Sequence, residues 1–131
     1  MILAVGRYLQ LVLSKVPADT PDDEFNSWYD AHLPEILSIP GFAAATRFRL
    51  RPAVVNPDAE MPYDYLTVYE LDGDLEHIMK EMERLGLVSK ESYVDLKEVS
   101  DQGPQLPPWW DGVRFASWNC VPIGERVQAD A

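Results

Sequence analysis

The chain has 131 residues, 47% hydrophobic and 11% aromatic, enough for one compact domain spanning 1–131 around its own apolar core. Its 22 acidic residues against 11 basic ones give a formal net charge of -11, which would repel a polyphosphate, so nucleic-acid binding is not expected. The single cysteine, Cys120, permits no internal disulfide, the opening run Met1-Ile-Leu-Ala-Val-Gly lacks a basic leader, and no stretch nears the roughly 18 apolar residues of a bilayer span; the expectation is a soluble, cytoplasmic protein without membrane contact.

From Leu3 to Ser14 the chain alternates Tyr8, Gln10 and Val12 against Leu9, Leu11 and Leu13, which predicts a strand with one mixed and one apolar face. Thr20-Pro21-Asp22-Asp23-Glu24 then supplies an N-cap, a proline suited to the first helical position and acidic residues for the first turn of a helix. At about 100° per residue, Phe25, Trp28, Tyr29, His32, Ile36 and Ile39 fall on one side of that helix, with Asp23, Ser27 and Asp30 elsewhere. Pro34 lacks the amide that would bond back to Asp30, so a bend or restart is expected beside His32. Ile39-Pro-Gly closes the helix.

A second strand follows from Phe42 to Arg51, then a proline-bearing loop to Pro62 and a third strand from about Tyr63 to Leu71. Arg47, Arg49 and Arg51 alternate along the second strand. Two readings stand: a solvated or dimer-facing edge that balances acidic neighbours, or an anchor at Arg47 for a substrate carboxylate, which arginine grips bidentately. Asp72-Gly-Asp marks a turn and cap into a second helix whose Leu75, Ile78, Met79, Met82 and Leu85 form a core stripe ending at Gly86. Lys90 to Val99 allows a short helix. Gln102 to Gly112, within a longer aromatic loop at about 100–112, carries Trp109 and Trp110, either as a surface plug or as a lid over a pocket. A last strand, Val113 to Val121, completes the order βαββαβ, and the tail from Gly124 is expected to be frayed or exchanged with a partner.

That order predicts a ferredoxin-like α+β fold, an antiparallel four-stranded sheet with both helices on one face. The other face then carries Leu9, Leu11 and Leu13 and needs cover, which a second copy supplies; a homodimer is expected.

Chemistry concentrates on His32. A neutral imidazole set in an apolar stripe suits proton transfer or ligand binding, and equally a hydrogen-bonded core histidine. The sequence holds no G-x-S-x-G, P-loop, Rossmann glycine pattern, H-E-x-x-H or C-x-x-C. His77, in the first turn of the second helix, reads as solvated. With two histidines and one cysteine on separate elements, no metal site and no cofactor are expected.

The pattern Glu24-Phe25-x-x-Trp28-Tyr29-x-x-His32-Leu33-Pro34-Glu35, followed by Ile39-Pro40-Gly41-Phe42 and Arg47-Phe48, resembles the EthD-like family of the dimeric α+β barrel superfamily. The specific likeness covers about 30 residues. It implies two sheets packed face to face in a dimer, with a pocket in each subunit between the helices and its own sheet, into which His32 points. Relatives in that superfamily include cofactor-free monooxygenases, polyketide cyclases, lactone isomerases, decarboxylating or dehydrating enzymes and haem-binding peroxidases, so the fold does not choose the reaction. The resemblance also implies that Tyr8 and Gln10 of the first strand face the same cavity.

The leading expectation is a cofactor-independent enzyme in which His32 is general acid/base on a small apolar, aromatic or polyketide-like carbonyl compound, of lyase, isomerase or dehydratase type, in catabolism or secondary metabolism. Tyr8 would polarise the carbonyl or orient the imidazole, Gln10 and Arg47 would bind substrate, and Trp28, Trp109 and Trp110 would sandwich its ring. Tyr65 and Tyr69 are alternates whose strand face the pattern does not fix. The competing expectations are a binding module for haem or another hydrophobic ligand, and an accessory protein in which His32 only satisfies a core hydrogen bond.

Overall fold

Period-two and period-3.6 patterning resolve into one sheet with helices on a single side. The computed structural model describes residues 7–53, 60–85 and 107–130, and its elements run β1 (Arg7–Lys15), α1 (Asp22–Leu37), β2 (Phe42–Arg49), β3 (Tyr65–Asp72), α2 (Leu75–Arg84) and β4 (Arg114–Cys120), with a 3-10 turn at Trp110–Gly112. The sheet is antiparallel in the order β2-β3-β1-β4, the ferredoxin-like arrangement. The expected start of the first strand at Leu3, the stop at Gly86, the helix at Lys90 to Val99 and most of the loop at 100–112 lie outside the described residues.

Side chains opposite one another in an antiparallel ladder share a face, so the register assigns every position. Gln10 pairs with Tyr69 and Asn119, Val12 with Thr67 and Ser117, Ser14 with Tyr65 and Phe115; these look toward the helices. Leu11 pairs with Val68 and Trp118, Leu13 with Leu66 and Ala116, and Phe48 with Leu66; these form the opposite face. Leu9, Phe48 and Trp118 on that face are exposed, as the alternation in β1 leads one to expect. Tyr65 and Tyr69 are now fixed as buried, helix-facing residues.

α1 begins one residue later than the sequence pattern suggests. Pro21 is extended, with ψ 136°, and its carbonyl accepts the first helical bond from Phe25 N at 3.2 Å, so it is the cap and Asp22 the first helical residue. No side chain caps this end; Asp22, Asp23 and Glu24 complement the dipole instead. α1 runs through Pro34 to Leu37 as one helix, without a restart. Pro34 and Asp30 are exposed, so the carbonyl that Pro34 leaves without its usual donor lies on the solvent side, where water can replace the bond.

The two helix ends nearest the core use glycine. At Gly41 the backbone has φ 98°, and its carbonyl accepts from Asp72 N at 2.8 Å, joining the α1–β2 turn to the end of β3. At Gly73, φ 124° allows Asp74 to cap α2 through bonds to Glu76 N and His77 N. His77 is exposed, and among α2's residues Ile78 is buried with Leu75, Met79, Met82 and Leu85 packed around it.

Two clusters make the core. Ile36, Ile39, Phe42, Tyr69, Leu71 and Ile78 pack under α2, while Phe25, Tyr29, Tyr65, Val16 and Val113 pack at the start of α1. Beyond β4, the tail to residue 130 has no helix or strand, and Ile123 is 99% exposed.

Candidate functional site

α1 sets the chemistry because its buried stripe carries both rings and a titratable group. Phe25, Tyr29, His32 and Ile36 are buried on one side, as the helical period requires. His32 is 5% exposed. Trp28, one turn earlier, stacks on its ring at 5.1 Å between centroids with 14° between planes, and Tyr29 meets it edge-on at 6.1 Å. Glu35 Oε2 lies 3.1 Å from His32 Nδ1. A carboxylate is only an acceptor, so Nδ1 carries the hydrogen and donates it, and in the neutral ring Nε2 is then the acceptor nitrogen. Glu35 was not anticipated from sequence, although its i,i+3 spacing from His32 on a helix was there to be used.

The tryptophans join the same cluster. Trp28 meets Trp109 at 5.6 Å and Trp110 at 5.3 Å, Trp109 also abuts Phe25 at 5.3 Å, and Trp110 reaches Phe115 of β4 at 5.3 Å. Trp110 is buried and sits in the 3-10 turn. In this arrangement the rings of Trp109 and Trp110 pack on protein aromatics from α1 and β4.

Arg47 corrects the reading of a solvated or dimer-facing arginine edge. It lies on the helix side of β2, opposite Thr67, with its side chain only 13% exposed. Its Cζ stands 4.3 Å from the Tyr29 ring centroid, 5.4 Å from Tyr65 and 5.7 Å from Phe25. Nη1 donates to Asn26 Oδ1 at 2.9 Å and approaches Asp30 Oδ1 at 3.5 Å. Arg49 is half-exposed and pairs with Asp22 at 3.5 Å, and Arg51 is exposed beyond the end of β2, so the solvated reading suits these two.

The remaining candidates separate. Gln10 is buried and donates through Nε2 to Asn119 Oδ1 at 3.2 Å and toward Met82 Sδ at 3.4 Å, beneath α2. Asn119, which completes this pair across 109 positions, carried no sequence signal. Tyr8 packs against the Ile36–Leu71–Ile78 cluster and lines a groove of about 630 Å³ with Leu9, Leu71, Cys120 and Pro122. Tyr65 stacks on Phe25 at 5.4 Å and its hydroxyl accepts from Asn26 Nδ2 at 3.3 Å. Tyr69 is buried; desolvation, then the neighbouring Tyr29 phenol, pushes its hydroxyl well above the usual tyrosine range despite the nearby Arg47 charge. Thus α1 gathers His32, Trp28, Trp109 and Trp110 in one cluster and holds Arg47 and Tyr65 in an adjoining one, with Tyr29 shared.

Among the described residues, no group of three or more His, Cys, Asp or Glu side chains is arranged to hold a metal ion, and no helix is long and apolar enough to cross a membrane.

The backbone is similar to three solved proteins of nearly equal length. They are a DABB family protein with a ferredoxin-like fold from Mesorhizobium loti (14% identity, 91% of this chain and 99% of that one, TM-score 0.55), HapK from Hahella chejuensis (13%, 94% and 99%, 0.54), and SnoaB, a cofactor-independent oxygenase from Streptomyces nogalater (12%, 92% and 96%, 0.55). No family model and no curated protein sequence matches the chain. At such identities the likeness establishes the ferredoxin-like α+β fold.

Proposed function

We infer that this protein is an EthD-like, cofactor-independent enzyme that moves protons on a small aromatic or polyketide-like carbonyl compound, with His32 as general acid/base. The observation that carries this reading is the buried His32 imidazole held at Nδ1 by Glu35 at 3.1 Å. A carboxylate on Nδ1 fixes the tautomer and the ring orientation, the arrangement a general base needs. Nε2 takes a proton from the carbon next to the substrate carbonyl and returns it to another carbon or to a departing hydroxyl. Isomerisation follows in the first case and dehydration in the second. Trp28, stacked on one face of the imidazole, limits its rotation. The backbone likeness to a cofactor-independent oxygenase is consistent with catalysis from side chains alone.

The working form we propose is a homodimer of single-domain subunits. Leu9, Phe48 and Trp118 stand exposed on one sheet face between Leu11, Leu13, Leu66 and Val68, and a matching face of a second copy would bury them. Thermal-shift screening with aromatic ketones and polyketide-derived fragments identifies ligands, since saturation at about 100 times the dissociation constant adds about 2.7 kcal/mol to stability. With a substrate in hand, His32→Ala is expected to keep the fold and lose turnover by about 10²-fold or more. Near-normal turnover in that variant overturns the reading.

A further inference from the structure

Arg47 presents an imbalance that the rest of the core does not repair. Its guanidinium is always charged, and its side chain is 13% exposed. Among the described residues, neither Nε nor Nη2 has a hydrogen-bond acceptor, and both nitrogens are buried. The acceptors that do reach the group, Asn26 Oδ1 at 2.9 Å and Asp30 Oδ1 at 3.5 Å, both lie on Nη1. Asp30 is itself 68% exposed, so the counter-charge sits outside while the inner edge faces rings. Rings attract the delocalised charge, yet they accept a hydrogen bond only weakly. A buried charge with two unmatched donors is costly, and sequences retain such a cost where a partner arrives later.

We propose that the inner edge of Arg47, framed by Phe25, Tyr29 and Tyr65, is the binding site for a ligand carboxylate, and that the substrate is therefore an aromatic or aryl-substituted carboxylic acid. This rests on the small-molecule reading given above and narrows its substrate class. The N–H groups of Nε and Nη2 point the same way along one side of the guanidinium, which matches the two oxygens of a carboxylate. A singly charged planar anion also fits a chain with a net charge of -11 better than a polyphosphate does. Asn26 sets the orientation: its Oδ1 holds Nη1 outward while its Nδ2 donates to Tyr65 Oη at 3.3 Å. Tyr65 in turn lines a groove of about 350 Å³ whose wall includes Lys15 and Arg49. In this proposal the acid enters from that groove, and the Asn26–Tyr65 contact has to open to admit it. Tyr29 then lies between the bound carboxylate and His32, touching the Arg47 charge at 4.3 Å and the His32 ring at 6.1 Å.

The test uses matched neutral and anionic probes on the full chain: benzoate, phenylacetate and 4-hydroxybenzoate against their primary amides, titrated by calorimetry. The acids are expected to bind at least tenfold more tightly than the amides. Arg47→Gln is expected to remove that preference, and Arg47→Lys, which keeps the charge without the fork, to retain only part of it. The Nε–H resonance of Arg47 is expected to shift downfield with benzoate and not with benzamide, a response that a merely structural arginine would not give. Equal binding of acids and amides by the native protein, or no saturable binding of any acid, overturns the carboxylate site. Neither result touches the role of His32, which stands or falls on turnover in His32→Ala.

Discussion

Glu35 Oε2 and His32 Nδ1 lie 3.1 Å apart within a single turn of α1, so the histidine and the group that orients it belong to one rigid element. Glu35→Gln keeps the size of the side chain and offers Nδ1 an amide in place of a carboxylate. The amide supports a developing imidazolium poorly and can turn its NH₂ toward Nδ1, which favours the other tautomer. Turnover is expected to fall by roughly 10- to 100-fold, with a smaller loss than in His32→Ala, because the base itself survives. Steady-state kinetics on both variants check the order; equal activity of Glu35→Gln and the native protein removes Glu35 from the mechanism.

Gly41 tests how tightly the α1–β2 turn is bound to α2. A Cβ at this position would stand 2.5 Å from Ile78 Cγ1 and 2.6 Å from Cδ1, on a backbone with φ 98°. Overpacking of a buried isoleucine and left-handed strain act together, and Gly41→Ala is expected to cost about 3 kcal/mol. Gly73 has φ 124° but no atom within 4 Å of its virtual Cβ, so Gly73→Ala carries the backbone strain alone. Chemical denaturation of both variants should show the larger midpoint shift at Gly41. A larger effect at Gly73 would place the cost in the backbone rather than in the contact with Ile78.

The legible part of the molecule is the part governed by unbroken periods. His32 among Phe25, Tyr29 and Ile36 follows from 3.6 residues per turn, and the face shared by Leu9, Leu11 and Leu13 follows from a period of two. The side that Arg47 takes is not legible in the pattern, because its strand breaks that period. The ladder between β2 and β3 shifts register between Phe42 and Ala44, so Phe42, Ala45, Arg47 and Arg49 share the helix side. Strict alternation from the buried Phe42 would have put Phe48 inside and Arg47 outside; one extra residue exchanges them. The Gln10–Asn119 pair was hidden for another reason, since it exists only once β1 and β4 lie side by side. No local pattern encodes that contact.

Trp118 offers the least disruptive probe of self-association. It is 57% exposed in the single chain and pairs with Leu11 at the middle of the apolar face. Trp118→Glu leaves the core of the protomer untouched but sets a charge against the same face of a second copy. The dissociation constant of the dimer is expected to rise by about 100-fold or more, the scale of losing a buried aromatic anchor. Sedimentation at micromolar concentration reads this directly. A native protein that sediments as a monomer would remove the homodimer before the variant is made.

Tyr69 makes the buried polar core visible as a pH dependence. Desolvation keeps its phenol protonated in the folded state far above the usual value near 10, to which it returns on unfolding. The folded pKa is raised, so this contribution is complete below about pH 10 and declines as pH rises further, because the unfolded chain then holds fewer protons than the folded one. Tyr69→Phe removes the titration. The stability difference between native protein and variant is therefore expected to move against the native protein by about 1.4 kcal/mol between about pH 9 and pH 11. Denaturation at a series of alkaline pH values follows the difference, in which the other tyrosines and lysines cancel. A difference that stays constant over this range would mean that Tyr69 ionises as readily in the core as in water, which is incompatible with a buried phenol beside Tyr29.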